Sequence, residues 1–467
     1  MRGTPLFSLF VFATLCAAAC GGMSSTSGSS TSGVSTSGSS TSGSSTSGPM
    51  TDAGSGGTGG TSGTGGTGGI TCTAPPTLGL VAGPATKICQ LTGELDKQLG
   101  QPTPNKTFTR FQLTGTDLGS SFEAGGKLWF LFGDSKPTAG PNPNPACGDS
   151  IAYSVDTDPT NCVKLDFVSF PSGSFKSPSV PGVNLSCFNV PLSGVAKGSS
   201  MYVWFSTDCM TRSVLARTDD GAQTFSLIGD VSDCKCGGSC VNSAPPLQSC
   251  AQDCHFVNVS ASLVPPARAQ GLPPANGDHV LLFGTGKYRM SDVFLSAAPL
   301  AQIEDGTSRR YFTGVDPASC APSWGTTESA AKPIFSTAGE GDDGGSCVGE
   351  VSVHYDDVMK LWIAMYNCGL SHHNIQARAA ATPWGPWSAP LTVFDAATAH
   401  CKYIYKSGAG CNSLSDPKRL NEDGAVYGPY VIGRYTKPTA QGAKLYFVMS
   451  TWNPYNTVLM EAELNAH

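Results

Sequence analysis

Five segments of the chain repeat one pattern: a polar start, a run of aromatic and aliphatic residues, and a small or polar end. They are residues 127–134, 200–207, 279–286, 360–367 and 444–451. Successive segments begin 73 to 84 residues apart, and a second short apolar run follows each of them. Short strands at such a period, separated by turns rich in Gly and Pro, are typical of β-propellers. The pattern predicts an all-β, five-bladed β-propeller in which the repeated segment is the second strand of each blade.

The first repeat carries a hairpin signal with an acid on either side. Gly125-Gly126 can supply the positive φ angles of a two-residue turn. Asp117 and Asp134 are equally distant from the centre of this pair, so a regular hairpin would make them direct cross-strand neighbours, with Cβ atoms about 4.5–5.5 Å apart. Two carboxylates that close cannot both ionise normally, and the pKa of one rises. The spacing indicates an acid and base pair. The alternative is that each acid bonds local backbone, and a β-bulge would also change the register.

Further polar and aromatic residues fall at the same end of the predicted propeller, where the first strand of a blade begins and the second ends. Glu350 begins the first strand of the fourth repeat, so it is expected to face Asp117 across the channel as a third catalytic candidate. The candidate substrate-binding residues are His255, Asn258, Arg289, Asp292, Trp452, Asn453 and Tyr455. Paired acids with hydroxyl-bonding groups and stacking rings are what a glycosidase needs around a glycosidic bond.

Some of these residues also have a structural interpretation. Arg289 and Asp292 are close enough in sequence to form an ion pair that orders their loop. His255 can be a sugar contact or a buried structural imidazole. The segment 218–225 resembles the Asp-box turn of sialidase-like propellers and is interpreted as structural rather than catalytic.

The N-terminal sequence predicts export. Arg2 precedes an apolar run, and small residues then lead to Cys20, which indicates a signal peptide over residues 1–19 with a lipid-modified cysteine at its end. Cleavage without lipid is the alternative. Residues 20–71 are almost only Ser, Thr and Gly, which predicts a disordered tether ahead of a propeller domain at 72–467. We expect a cell-surface lipoprotein, anchored to a membrane through Cys20, or a secreted protein.

Cysteine content and charge narrow the possible partners. The chain has 18 cysteines, and setting aside Cys16 and Cys20 leaves 16, an even number that favours disulfides in an exported protein. Five of them crowd a Cys-rich insertion near residues 232–254, where a zinc site is the less favoured alternative. A net charge of −6 without a basic cluster argues against nucleic acid and favours a neutral polysaccharide. We expect a monomer without a cofactor.

Six motifs carry a resemblance to a known family. They are Thr-Asp-Leu-Gly at 116–119, Phe-Gly-Asp at 132–134, Gly-Lys-Tyr-Arg-Met-Ser-Asp at 286–292, Gly-Glu-Val-Ser at 349–352, Pro-Trp-Gly-Pro-Trp at 383–387 and Ser-Thr-Trp-Asn-Pro-Tyr at 450–455. Together, across most of residues 105–464, they resemble the secreted bacterial propeller family in which endo-D-arabinanases have been recognised. The Cys-rich insertion and the long tether are departures from that family.

This resemblance implies a five-bladed propeller with endo-hydrolytic activity on α-linked D-arabinofuranosyl chains, as in mycobacterial arabinogalactan and lipoarabinomannan. It also implies that Asp117 and Asp134 are the catalytic pair. The sequence leaves open which aspartate donates the proton and whether the reaction retains or inverts configuration, because that depends on the carboxyl separation. A non-catalytic glycan-binding or adhesion propeller is the alternative from another functional class.

Overall fold

The structure is a computed structural model of the 467-residue chain, and it describes residues 74–136, 148–185, 188–235, 254–341, 344–368, 374–417, 419 and 422–467. The predicted signal peptide, Cys20, the whole tether and most of the Cys-rich insertion lie outside the described residues. In the part that is described, no helix is long and apolar enough to cross a bilayer.

The first described strands do not form a blade of their own. Strands β1 (Leu78–Leu80) and β2 (Thr86–Gln90) both pair with the last strand of the chain. Strands β3 (Leu95–Asp96) and β4 (Gln101–Pro102) form a small separate sheet. Helix α1 (Thr107–Phe111) then leads into the first blade.

Five antiparallel sheets follow, one for each blade. Blade one consists of β5 (Gly115–Ala124), β6 (Lys127–Lys136), β7 (Gly148–Ser154) and β8 (Asp166–Phe167). Blade two consists of β9 (Pro191–Lys197), β10 (Ser200–Thr207), β11 (Arg212–Thr218) and β12 (Ser226–Asp233). Blade three consists of β13 (Asn258–Val264), β14 (His279–Thr285), β15 (Val293–Pro299), β16 (Arg310–Val315), β17 (Pro322–Gly325) and β18 (Pro333–Phe335).

Blade four consists of β19 (Val348–Asp356), β20 (Leu361–Cys368), β21 (Asn374–Ala380) and β22 (Leu391–Phe394). Blade five contains β23 (Val426–Val431), β24 (Lys437–Pro438), β25 (Ala443–Thr451) and β26 (Asn456–Ala466), together with β1 and β2. The remaining helices are short: α2 (Ala396–Ala399) and the 3-10 turns Pro266–Arg268, Leu300–Gln302, Gly306–Ser308, Glu328–Ala330, Asn412–Leu414 and Gly433–Tyr435. The predicted five-bladed, all-β propeller is confirmed.

The repeated apolar segments are the second strands of the blades, as predicted. Each lies between an inner strand and a third strand, so both of its edges are hydrogen bonded. All eight residues of β10 are buried. A strand that is covered on both faces by neighbouring blades reads as a continuous apolar run rather than an alternating one, which explains the pattern of the repeats.

The ring is closed by strands from both ends of the chain. In blade five the inner strand β23 pairs with β25, β25 pairs with β26, and β26 pairs with β1 and β2. The backbones of Thr77 and His467 exchange two hydrogen bonds of 2.9 and 3.0 Å beyond the last ladder pair. The first and fifth blades are thus joined by hydrogen bonds and packing around the seam.

Four disulfides join described cysteines: Cys89–Cys162, Cys234–Cys254, Cys347–Cys368 and Cys401–Cys411. Disulfides persist in oxidising compartments, so these bonds indicate an exported or extracellular protein. Cys347 directly precedes β19, and Cys368 is the last residue of β20. Their disulfide therefore joins the ends of the two strands that carry Glu350 and Asn367.

Candidate active site

The predicted Gly-Gly turn is present, but the register of its hairpin differs from the prediction. Gly125 and Gly126 have φ angles of 57° and 77°, and the strands resume with Ala124 opposite Lys127. Asp117 lies opposite Gly133, not opposite Asp134. The expectation that the two acids are direct cross-strand neighbours was therefore wrong.

Two irregularities of the hairpin explain this difference. Leu118 pairs with Phe132 and Ser120 with Leu131, so Gly119 is an extra residue in β5. Gly119 has a φ angle of 120°, which glycine tolerates and other residues rarely adopt. Between Gly115 and Asp117 the extra residue is on the other strand, where residues 134–135 of β6 stand opposite the single residue Thr116 of β5. Such bulges bend a strand and re-aim its side chains.

A third aspartate, Asp149, joins the two predicted ones. In β7 the pairs Phe132–Ser150 and Ser135–Gly148 flank it, so Asp149 stands beside the irregular stretch of β6 that carries Asp134. Three consecutive strands of blade one thus bring one aspartate each to the same level. Sequence analysis missed Asp149 because it placed the start of the third strand at Ile151, two residues after Asp149. An acid beside the end of the second strand was nevertheless a usable signal.

Hydroxyl groups next to each aspartate in sequence bind one another and the backbone. Ser135 Oγ donates to Thr116 Oγ1 over 3.1 Å and lies 2.6 Å from Ser150 Oγ. Thr116 Oγ1 donates to the carbonyl oxygen of Gly133 over 2.7 Å. All three side chains are fully buried. We call Thr116, Ser135 and Ser150 the hydroxyl clamp, since together they fix the register of the three strands at the level of the acids.

Asp117 is buried and incompletely hydrogen bonded. Its Oδ2 accepts a 2.9 Å hydrogen bond from the Tyr427 hydroxyl, whereas its buried Oδ1 has no partner. A Cβ atom on Gly133 would lie 2.6 Å from that Oδ1, so only glycine leaves room for the carboxyl group. Burial, followed by the charge of Asp134, raises the pKa of Asp117 to about 7. A carboxyl group with that pKa can keep or release its proton near neutrality.

Asp134 is half-buried and lies among groups of the opposite polarity. Burial raises the pKa of Asp134, and this rise is opposed by the backbone N–H of Phe188 and by the positive charges of Lys136 and Arg419. The Tyr455 hydroxyl donates a 3.0 Å hydrogen bond to the Asp134 carbonyl oxygen. Asp134 therefore has stabilising partners for its ionised form that Asp117 lacks.

Arg419 belongs to the site and was missed by sequence analysis. Its guanidinium carbon lies 3.8 Å from the centre of the Trp452 ring and 4.8 Å from that of Tyr455, and the group donates a 2.7 Å hydrogen bond to the Trp452 carbonyl oxygen. Lys136 lies 3.9 Å from the centre of the Tyr455 ring. Arg419 comes from a loop between blades that carries no repeated pattern, so no sequence signal marked it.

Glu350 is a fixed charge in this structure. Burial opposes its ionisation, but the Arg289 guanidinium outweighs burial and holds the pKa of Glu350 below its usual value. Two hydrogen bonds of 3.2 and 2.8 Å join the two side chains. The expected Arg289–Asp292 ion pair is thereby corrected: Arg289 reaches across to blade four. Glu350 faces Asp117, because its charge contributes to the raised pKa of Asp117.

Two predicted substrate-binding residues hold loops instead. Asn453 is fully buried; its amide donates to the carbonyl oxygens of Arg419 and Glu422, and its oxygen accepts from the Asp416 backbone, so the prediction of a sugar contact was wrong. Asp292 Oδ1 accepts hydrogen bonds from three groups of the loop after β18, namely Ser336 Oγ, Thr337 N and Ser346 Oγ.

The other predicted contacts are placed as follows. The amide of Asn258 donates a 3.3 Å hydrogen bond to the Gly349 carbonyl oxygen and thereby joins the inner strands of blades three and four. The His255 ring is stacked on Phe294 with centroids 3.9 Å apart, and its backbone N–H binds Glu328. Trp452 and Tyr455 lie beside Arg419, and Tyr455 also contributes to the surroundings of Asp117. Their roles towards a sugar stay predictions.

Comparison with solved structures finds similar chains at low identity. A protein from Bacteroides ovatus is 13% identical over 76% of this chain and 87% of its own, with a TM-score of 0.42. An exo-1,5-α-L-arabinanase from a bovine ruminal metagenomic library is 8% identical over 76% and 98%, with a TM-score of 0.37. An exo-β-1,3-galactanase from Phanerochaete chrysosporium is 10% identical over 80% of this chain but only 64% of its own, also with a TM-score of 0.37. Likenesses this weak say nothing about the reaction.

Sequence comparison identifies the family. No curated protein is significantly similar to the chain. A family profile described as "Domain of unknown function (DUF4185)" matches residues 102–461, which span blades one to four, part of blade five and every aspartate of the site. The chain therefore belongs to the DUF4185 family.

Proposed function

We propose that the protein is a glycoside hydrolase that cleaves furanoside polysaccharide, acting within α-D-arabinan chains of the kind found in mycobacterial cell-wall glycans. One observation carries the proposal: burial and the charge of a second aspartate, Asp134, raise the pKa of the buried Asp117 to about 7, at the irregular end of the blade-one hairpin. Glycosidases use such a pair around the scissile bond. The choice of D-arabinan depends on the family resemblance of the six motifs rather than on this geometry.

The two environments assign different roles to the acids. Asp117 is the proton donor, because a group with a pKa of about 7 still carries its proton at neutral pH and its Oδ1 has no competing partner. Asp134 is the base or nucleophile: burial raises its pKa too, but the Phe188 N–H, Lys136 and Arg419 oppose that rise and favour its ionised form, and Asp117 has no such cations among its partners. In the reaction Asp117 gives its proton to the leaving glycosidic oxygen. Asp134 either accepts a proton from the attacking water or attacks the anomeric carbon itself.

Aromatic and charged groups around the pair hold the sugar chain. The half-exposed ring of Trp452 offers a surface on which a sugar ring can stack, whereas the buried Tyr455 packs beside Arg419 and supports this arrangement. The Arg289–Glu350 pair on the facing blade offers hydroxyl-bonding groups. We further propose that the enzyme acts at the cell surface, anchored through a lipid on Cys20.

The raised pKa of Asp117 sets the pH dependence. Activity requires the protonated acid, so the rate falls as the pH rises through about 7. Below that value Asp117 is protonated, and the rate then falls where Asp134 also takes up a proton. A bell-shaped profile of kcat/KM is the expected result.

The test is incubation of the purified protein with D-arabinan and related furanosides, followed by measurement of new reducing ends. Asp117→Asn and Asp134→Asn are each expected to lower kcat by about 10²–10⁴-fold, the usual contribution of a general acid or base. Asp166→Asn, at an outer-strand residue of the same blade that pairs with Arg110, is the matched control and keeps wild-type activity. Glycan binding without hydrolysis, unaffected by either active-site substitution, would instead establish a non-catalytic binding propeller.

A further inference from the structure

Asp149 is a buried acid that the proposed reaction does not use. Only 2% of its surface is exposed, and its buried Oδ2 has no hydrogen-bond partner. It lies on β7 beside Asp134 and Asp117, and no salt bridge to a described residue involves it. A buried carboxylate without a cation is rare because charge is costly to desolvate.

Two features of the surroundings of Asp149, its burial and the neighbouring negative charges, favour its neutral form. Burial, followed by the charges of Asp134 and Asp117, raises the pKa of Asp149 well above its usual value. Desolvation and like charge both raise the pKa of Asp149, and no described group acts to lower it. Asp117 has the Tyr427 hydroxyl and Asp134 has Lys136 and Arg419 to favour ionisation, whereas Asp149 has neither kind of partner.

A shared metal ion does not account for the three acids. Among the described residues, the only group of three potential ligands with all atoms within 4.8 Å of one another is Glu340, Cys347 and Cys368. The two cysteines of that group form a disulfide with each other. The aspartates of blade one are therefore grouped as acids and not as a preformed cation site.

We propose that Asp149 is an uncharged, proton-bearing positioning residue of the site, which occupies the third strand beside Asp134 without adding a third negative charge. In this state its O–H is a donor and its other oxygen an acceptor. A third carboxylate here would repel both partners and would hold Asp134 in its protonated form. Neutral Asp149 thus allows Asp134 to carry the single charge that the reaction needs. Only this last consequence rests on the proposed function; the protonation of Asp149 does not.

The pH dependence of stability tests the charge state directly. The folded-state pKa of Asp149 is raised, so between the unfolded-state value of about 3.9 and the folded value the native protein binds more protons, and its stability falls as the pH rises. Asp149→Asn cannot titrate. Its melting temperature relative to wild type is therefore expected to increase as the pH rises above about 4. Asp166→Asn, at a partly exposed ion-paired residue of the same blade, is the control for replacing an aspartate by asparagine.

A relative melting temperature of Asp149→Asn that falls over the same pH range would overturn the proposal, since it would mean that the folded protein prefers the ionised group. If Asp149→Asn does not fold, infrared spectroscopy of Asp117→Asn decides. A carbonyl band of a protonated carboxyl group is expected to persist at neutral pH in that variant, in which Asp117 no longer contributes one. Absence of the band would likewise overturn the proposal.

Activity measurements then test the positioning role. Asp149→Ala removes the side chain and is expected to lower kcat by about 10 to 10²-fold with little change in KM, because small misplacements of a catalytic group are costly. Asp149→Asn, which keeps the shape and a neutral donor, retains the larger share of kcat. Equal losses in the two variants would contradict the positioning role. Absence of hydrolysis in the wild-type protein would sink the proposed function, while the stability and infrared results would still decide the charge state.

Discussion

Blades one and four carry an acid at the same place in the fold, with opposite properties. Asp117 and Glu350 are each the third residue of an inner strand, β5 and β19, and both are nearly buried, at 9% and 5% exposure. Burial opposes the ionisation of both. The pKa of Asp117 rises to about 7, whereas that of Glu350 falls below its usual value. Burial alone therefore does not decide the charge of an acid in this channel.

The difference lies in the partner that the neighbouring blade supplies. Glu350 receives a guanidinium from Arg289 of the loop before blade three's third strand, through two hydrogen bonds. Asp117 receives a neutral hydroxyl from Tyr427 of blade five. One position thus holds a permanent anion and the other an acid able to exchange its proton. The anion of blade four also contributes to the raised pKa of Asp117.

The largest expected effect comes from removing the Arg289 guanidinium, which would make Glu350 resemble Asp117. Arg289→Met leaves Glu350 buried without a cation, which costs about 3–5 kcal/mol of unfolding free energy. The pKa of Glu350 should then rise as that of Asp117 does. The loss is therefore greatest at neutral pH and shrinks as the pH falls towards about 4, where the unpaired acid takes up a proton. Chemical denaturation at several pH values measures it.

The double variant Arg289→Met with Glu350→Gln is the control for this prediction. Replacing both charges removes the unpaired anion, so most of the lost stability should return. A double variant as unstable as Arg289→Met alone would show that packing of the arginine, and not its charge, supports blade four.

A methyl group on Gly133 would disturb the acid of blade one, Asp117. The added Cβ of Gly133→Ala would lie 2.6 Å from Asp117 Oδ1 and must displace the carboxyl group. Displacement of a catalytic group by about 1 Å costs up to about 10²-fold in rate, so we expect a loss of that order in kcat. Steady-state kinetics on D-arabinan measures it. Gly229→Ala on β12 has no atom within 4 Å of its added Cβ and no positive φ angle, so it serves as the glycine control for kcat.

Loosening the hydroxyl clamp sharpens the comparison, because the sequence neighbours of Glu350, which are Gly349 and Val351, carry no hydroxyl groups. Ser135→Ala removes one hydroxyl from the contacts among Thr116, Ser135 and Ser150, with an expected cost of about 1 kcal/mol. Since the clamp fixes the strands that carry the acids, kcat should fall as well. Ser352→Ala, at a buried serine of β19 that binds the Val431 backbone, should cost similar stability with less effect on kcat.

The smallest expected effect is a displacement of the pH profile. The Tyr427 hydroxyl lowers the pKa of Asp117 against the larger, opposite effects of burial and of Asp134. Tyr427→Phe removes that hydrogen bond, so the pKa of Asp117 should rise further. The alkaline limb of kcat/KM is then expected to move to higher pH. Movement to lower pH would show that the tyrosine does not act on Asp117 through this bond.

The architecture could be predicted because local patterns that repeat along the sequence determine it. Five apolar second strands, each covered on both faces, gave the blade number, and a Gly-Gly pair gave the first turn. The register of that hairpin could not be predicted. It depends on a bulge at Gly119 and on Leu118, which adopts a φ angle of 58° that nothing in a leucine side chain favours. Packing of the neighbouring blades imposes that conformation, and a single strand carries no trace of it.

Site residues were predictable where the repeat located them and not where a distant loop did. Asp117, Asp134 and Glu350 followed from their places in the strand pattern, although their pairing did not. The partner of Arg289 is 61 residues away, so the nearer Asp292 was the natural but incorrect choice. Arg419 and the Tyr427 hydroxyl reach the acids only through the ring closure, which brings residues more than 280 positions apart into contact, as in the Tyr427–Asp117 pair at 310.

Because strands from both chain ends complete the fifth blade, the hydrogen bond between Tyr427 and Asp117 crosses the seam of the ring. Blade one can be synthesised, exported and even paired internally while its acid still lacks that neighbour. The proton donor of the proposed reaction therefore acquires its tyrosine partner only when the fifth blade is in place, so the proposed hydrolysis would depend on a closed ring.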